Sequence, residues 1–187
     1  SYLKKLNLQK GDRVAAYVPN KIETIICFLA CAKNGIIWSS CSPDFGAQGV
    51  VDRFKQIEPK VLITCDYYYY NGKKINILDK VDQILKEISS IKNVIAYNYN
   101  KKEKEDLKNF INFEETLNSN LNENFERFEF DHPIYILFSS GTTGKPKCIT
   151  HGTGNVLIEH NKEFMLHCDI RDLSLIHISE PTRRTSI

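Results

Sequence analysis

A three-layer α/β unit, with a mainly parallel sheet flanked by helices, is the fold class this sequence predicts, on three observations. Short β-branched apolar runs alternate with longer segments of helical periodicity from Arg13 to Tyr97. Gly, Pro and Asn fall between these segments rather than inside them. A dense apolar run, Ile134 to Phe138, then stands late in the chain as a further interior strand. The 187 residues are 42% hydrophobic and 26% charged, an ordinary globular composition, and allow one domain or one large piece of a bigger one.

Arg13 to Val18, between Gly11 and the pair Pro19 and Asn20, reads as the first strand. Ile22, Ile25, Ile26, Leu29 and Ala30 recur at helical spacing, and Gly35 after Asn34 ends that helix. Because Cys27, Phe28 and Cys31 fill its other side, the pattern predicts a helix buried over most of its surface. Ile36 to Ser40 is a second strand. Pro43 and Asp44 are expected to open a helix whose stripe is Val50, Val51, Phe54 and Ile57, with Pro59 as its stop. Val61 to Thr64 is a third strand, and Ile77, Leu78, Val81, Ile84, Leu85 and Ile88 mark an amphipathic helix before a strand at Val94 to Tyr97. Tyr67 to Tyr70 reads as local compositional bias. Residues 98–126, rich in Asn, Lys and Glu, read as a surface excursion with one turn of helix near Phe113 to Leu117.

Composition removes several classes of function. Lys and Arg number 25 against 23 Asp and Glu, so the formal charge of +2 gives no electrostatic footprint for nucleic acid. The longest apolar stretch, Ile25 to Ala32, is far short of the roughly 20 residues that span a bilayer, so no membrane span is expected. The six cysteines show no Cys-x-x-Cys pair, and no apolar leader stands at the start, which together predict a reducing, cytoplasmic setting.

After Phe138 the chain becomes abruptly polar: Ser139, Ser140, Gly141, Thr142, Thr143, Gly144, Lys145, Pro146, Lys147. Two glycines let the backbone turn tightly, four hydroxyls can donate to oxyanions, and two lysines add positive charge, a set suited to a polyphosphate. The pattern is not a Walker A loop, since Pro146 stands at its second glycine and no Lys-Ser/Thr pair follows. Cys148 to Thr150 favour extended structure, so the loop is expected to join two strands, without a helix dipole as its main attraction for anions. A plain Gly-Thr turn with no ligand remains open on composition alone.

Following an apolar strand, "SSGTTGKPK" resembles the phosphate loop of the adenylate-forming acyl-CoA synthetase superfamily. Three more segments, "GDRVAAYVPN" at Gly11 to Asn20, "IIWSSCSPDFG" at Ile36 to Gly46 and "HGTGNVLIEHNKEFMLHCD" at His151 to Asp169, resemble its acetoacetate-activating branch. The resemblance implies a partial N-terminal AMP-binding (adenylation) domain over residues 1–171 and a non-family tail at 172–187, read as a sequence artefact. It implies ATP with Mg²⁺, coenzyme A as co-substrate and acetoacetate as the acid, with AMP and diphosphate released. Ser140, Gly141, Thr142, Thr143, Gly144 and Lys147 are thereby assigned to the β- and γ-phosphates. No catalytic residue is assigned, because the family's catalytic lysine lies in a part not matched here, and this piece alone is expected to be inactive. A synthetase for another short acid and a noncatalytic nucleotide-binding module are the alternatives. His151 is left outside the site. His160, with Val156, Leu157 and Phe164 at helical spacing, is expected to pack, and Trp38 and Asp44 are expected to serve folding at the sheet edge.

Overall fold

A computed structural model describes residues 2–103, 107, 109–117, 125–139 and 144–170. The described strands are β1 (Arg13–Tyr17), β2 (Ile37–Cys41), β3 (Val61–Cys65), β4 (Tyr67–Tyr70), β5 (Lys73–Asn76), β6 (Asn93–Tyr97), β7 (Ile111–Asn112), β8 (Pro133–Phe138) and β9 (Cys148–Gly152). The helices are α1 (Tyr2–Lys5), α2 (Ile22–Lys33), α3 (Ala47–Ile57), α4 (Leu78–Glu87), α5 (Phe113–Thr116) and α6 (Thr153–Lys162), the last running into a π turn at Glu163–His167.

The main sheet has the order β7-β6-β3-β1-β2-β8-β9 and is parallel except for β9, which runs antiparallel to β8. From β1 the chain crosses to β2 on one side and then returns to β3 on the other. Right-handed crossovers therefore put α2 on one face and α3 on the opposite face. The three-layer α/β architecture expected from the sequence is what forms. β1 and β3 sit at the centre, and every residue of β3 is buried, as parallel strands covered on both faces require. Val50, Val51, Phe54 and Ile57 turn the α3 stripe into the core, and α3 packs on α4.

Several expectations need correction. The α2 helix is not buried over most of its surface: Ile22 is 62% and Leu29 57% exposed, with Ile25 and Ile26 beside them, and only Glu23, Cys27 and Cys31 are buried. Both faces of this helix are apolar, and only one meets the sheet. Helix α3 begins at Ala47 rather than at Pro43, because Tyr17 Oη donates to the carbonyls of Pro43 (2.9 Å) and Phe45 (2.7 Å) and holds that segment as a turn. The four tyrosines are a strand: β4 pairs antiparallel with β5, Tyr67 and Tyr68 are buried, and Tyr67, Tyr69 and Tyr99 form a ring cluster. The stretch after Tyr97 contributes β7 to the edge of the sheet and the buried Phe113 to the core, so it is more than a surface excursion. Trp38 is interior to the sheet rather than at its edge, since β2 lies between β1 and β8.

Among the described residues no helix is long and apolar enough to cross a membrane. The expected boundary at residue 171 and the tail at 172–187 lie outside the described residues.

Candidate functional site

Strands β1, β2, β3, β6 and β8 all run the same way, so Tyr17, Cys41, Cys65, Tyr97 and Phe138 end at one edge of the sheet. Open α/β sheets bind ligands along that carboxyl edge. The Gly-Thr-Lys loop leaves the edge at the end of β8.

β8 is fixed beside β2 by the Trp38–Tyr135 pairing and by Ser39 Oγ, which donates to the Ile136 carbonyl at 2.8 Å. It has a neighbour on each side, as an interior strand should, but only Ile136 is buried and Leu137 is 45% exposed. β8 and β9 pair in register up to Phe138 and Cys148, and the Ser139 amide donates to the Lys147 carbonyl at 3.1 Å. The loop therefore joins two adjacent strands, as its sequence predicts.

Of the six residues assigned to phosphate, Ser140, Gly141, Thr142 and Thr143 lie outside the described residues. Gly144 and Lys147 are described, and both are exposed. A Cβ at Gly144 would meet nothing within 4 Å among the described residues. This position leaves its backbone open. Lys145 is exposed and lines a cavity of about 270 Å³ together with Val51, Asp52, Lys55, Gln56 and Glu87.

One residue that sequence reasoning missed reaches the loop. Gln56, on α3, donates from Nε2 to the Pro146 carbonyl at 2.9 Å and accepts at Oε1 from the Cys148 thiol at 3.6 Å. Nothing local marks it, because the contact joins positions 90 residues apart. Partial burial raises the Cys148 thiol above its usual pKa, so it is protonated and able to donate.

His151 is half-buried with its ring 4.9 Å from that of Tyr135. His160 does not pack into a core as expected; it is exposed, and Leu157 and Phe164 on the same helical run are exposed too, leaving Val156 as the buried residue of α6. Cys27, Cys31, Cys41 and Cys65 are buried free thiols, and burial pushes Cys27 up to about 12 and Cys41 up to about 11, far from a nucleophile's range. Among the described residues no three His, Cys, Asp or Glu side chains gather as a metal site.

A parallel sheet with helices on both faces and a polar loop at its carboxyl edge defines a class: an α/β domain that presents its ligand site at the strand ends. The chain belongs to the AMP-binding enzyme family, whose model matches residues 1–178. It is 46% identical to an acetoacetyl-coenzyme A synthetase of Rhizobium meliloti (strain 1021) over 91% of this chain and 27% of that protein. A malonamoyl-CoA synthetase of Penicillium aethiopicum is 40% identical over 91% of this chain and 25% of its own length. The solved acetoacetyl-CoA synthetase from Streptomyces lividans superposes with a TM-score of 0.85 at 40% identity, covering 90% of this chain and 26% of that one. The chain thus spans about a quarter of the length of these relatives.

Proposed function

We propose that this chain is the N-terminal part of an ATP-dependent acid–CoA ligase acting on acetoacetate in the cytoplasm, with its β8–β9 loop gripping the departing diphosphate. The observation that carries the reading is the placement of the loop: it joins β8 to β9 at the carboxyl edge of the sheet, with Gly144 and Lys147 exposed, in a chain of which 90% superposes on a solved acetoacetyl-CoA synthetase. The buried free thiols fit a reducing compartment.

In the first half-reaction a carboxylate oxygen of acetoacetate attacks the α-phosphorus of ATP, forming the acyl-adenylate and releasing diphosphate. In the second, the coenzyme A thiol attacks the acyl carbonyl and AMP leaves. Negative charge grows on the leaving diphosphate in the first step. Donors already oriented there lower that barrier, each by about 2.7–4 kcal/mol at comparable oxyanion sites. Ser140, Thr142 and Thr143 supply hydroxyl donors in this reading, Gly141 and Gly144 let the backbone approach the phosphates, and Lys147 supplies charge. Mg²⁺ accompanies the nucleotide. Hydroxyl oxygens such as those of Thr142 and Thr143 would be ligands of the kind it accepts. Its chemistry is to offset phosphate charge.

The test uses the full-length polypeptide that carries this segment. Labelled diphosphate should exchange into ATP when acetoacetate is present and not when it is omitted. The likeness to a malonamoyl-CoA synthetase favours a second acid, so the exchange is run with malonamate in parallel, and the higher kcat/KM names the substrate. Exchange with neither acid, in a protein that still binds ATP, would make the chain part of a noncatalytic nucleotide-binding module.

A further inference from the structure

We propose that Gln56 is a positioning residue for the phosphate loop, a single side-chain amide that holds the loop's exit at Pro146 and Cys148 and thereby aims Lys147. The proposal rests on the reading that this loop binds the phosphates of ATP.

Gln56 stands on a rigid element, since Val50, Val51, Phe54 and Ile57 root α3 in the core. Its Nε2 also donates to the Asp52 carbonyl one turn back, at 2.7 Å, which fixes the plane of the amide. The remaining N–H reaches the Pro146 carbonyl at 2.9 Å, and Oε1 receives the Cys148 thiol at 3.6 Å. Three of the four hydrogen-bonding positions of the amide group are then committed, and two of its three bonds go to residues on either side of Lys147. Pro146 has no N–H and a restricted φ, so its carbonyl is a well-defined handle. The Pro146 carbonyl and the Cys148 thiol flank Lys147, so holding both fixes the stretch of backbone from which Lys147 projects. The Ser139–Lys147 main-chain bond closes the same stem from the sheet side. The exit is therefore pinned from two directions, one of them independent of the strand ladder.

Gln56 is exposed, so its bonds compete with water and its removal should loosen the loop without unfolding the domain. In the full-length enzyme, Gln56→Ala should raise KM for ATP about three- to tenfold, the range that loss of one or two such bonds supports, while KM for the acid is unchanged. Gln56→Glu, which keeps the acceptor for Cys148 but loses the donors, should behave the same way. In Gln56→Ala, Cys148 should be alkylated faster by iodoacetamide, read by peptide mass spectrometry, whereas in Gln56→Glu the retained acceptor and its negative charge should keep it from becoming faster. Lys147→Ala is the reference variant. A KM for ATP unchanged in both Gln56 variants, with Lys147→Ala still raising it, overturns the positioning role and leaves the phosphate reading intact. If Lys147→Ala also leaves ATP binding unchanged, the phosphate reading itself fails and the positioning role goes with it. Unchanged Cys148 alkylation in Gln56→Ala overturns the contact on which the role depends.

Discussion

Ser139 and Lys147 are joined by a main-chain hydrogen bond of 3.1 Å, one step beyond the last pair of the β8–β9 ladder, so the loop between them leaves and re-enters the sheet at a single point. The stem is set by the sheet, and changes within the loop should act on ligand and not on fold. Gly144→Ala tests this separation. A Cβ there meets nothing within 4 Å among the described residues, so the melting temperature should move by no more than about 2 °C. Phosphate oxygens close to that backbone would meet the new methyl group, and kcat/KM for ATP in the full-length enzyme should fall about tenfold or more.

Asp12 and Lys60 make a pH-dependent tie between the start of β1 and the start of β3. Asp12 accepts from the Gln9 amide and from Lys60 Nζ, both at 2.8 Å. Burial pushes its carboxyl pKa up, but those two donors and nearby Arg13 outweigh burial and hold it below its usual value of 3.8. A carboxylate with a depressed folded pKa stabilises the fold above the unfolded value and loses that contribution as pH falls through the folded one. Asp12→Asn should therefore cost about 1–3 kcal/mol in urea unfolding near pH 7, and the difference from wild type should shrink steadily below about pH 4.

Asp66 ties the carboxyl ends of β3 and β6 together. It is fully buried and accepts from the Tyr67 and Tyr99 amides, each at 2.8 Å, and from Asn98 Nδ2 at 3.0 Å. Asp66→Ala strands buried donors and should destabilise the domain by about 2–4 kcal/mol, measured as a shift in the urea midpoint. Asp66→Asn keeps one acceptor oxygen and should cost less.

The exposed stripe on α2 predicts an asymmetry between two apolar helices. Ile25→Ser with Leu29→Ser removes surface that already faces water, so stability of this chain should change by less than about 1 kcal/mol while aggregation during light scattering declines. Phe54→Ala on α3 empties a fully buried position and should cost about 3–5 kcal/mol.

The parallel core was legible because each interior strand is a short apolar run between turn residues, and because the α3 and α4 stripes are one-sided. The α2 helix was not, since Ile22 and Cys27 are both apolar and periodicity cannot say which face meets the sheet. Tyr67 to Tyr70 hid a strand because two buried rings followed by two exposed ones break the alternation that marks a half-buried strand. β7 is two residues long and carries no period at all. The loop's position between two adjacent strands was readable from the run Ile134 to Phe138 ending in a Gly-Thr-Lys stretch that returns as extended structure at Cys148. Gln56 was unreadable, because a contact made across the fold leaves no trace in the residues around it.

The central claim is that the β8–β9 loop grips the diphosphate of ATP, and the most direct measurement is binding of inorganic diphosphate to the full-length enzyme by equilibrium dialysis. Wild type should bind it in the presence of Mg²⁺, and Lys147→Ala and Thr143→Ala should each weaken binding by about tenfold or more. Equal dissociation constants for wild type and both variants, with all three folded, would contradict the claim.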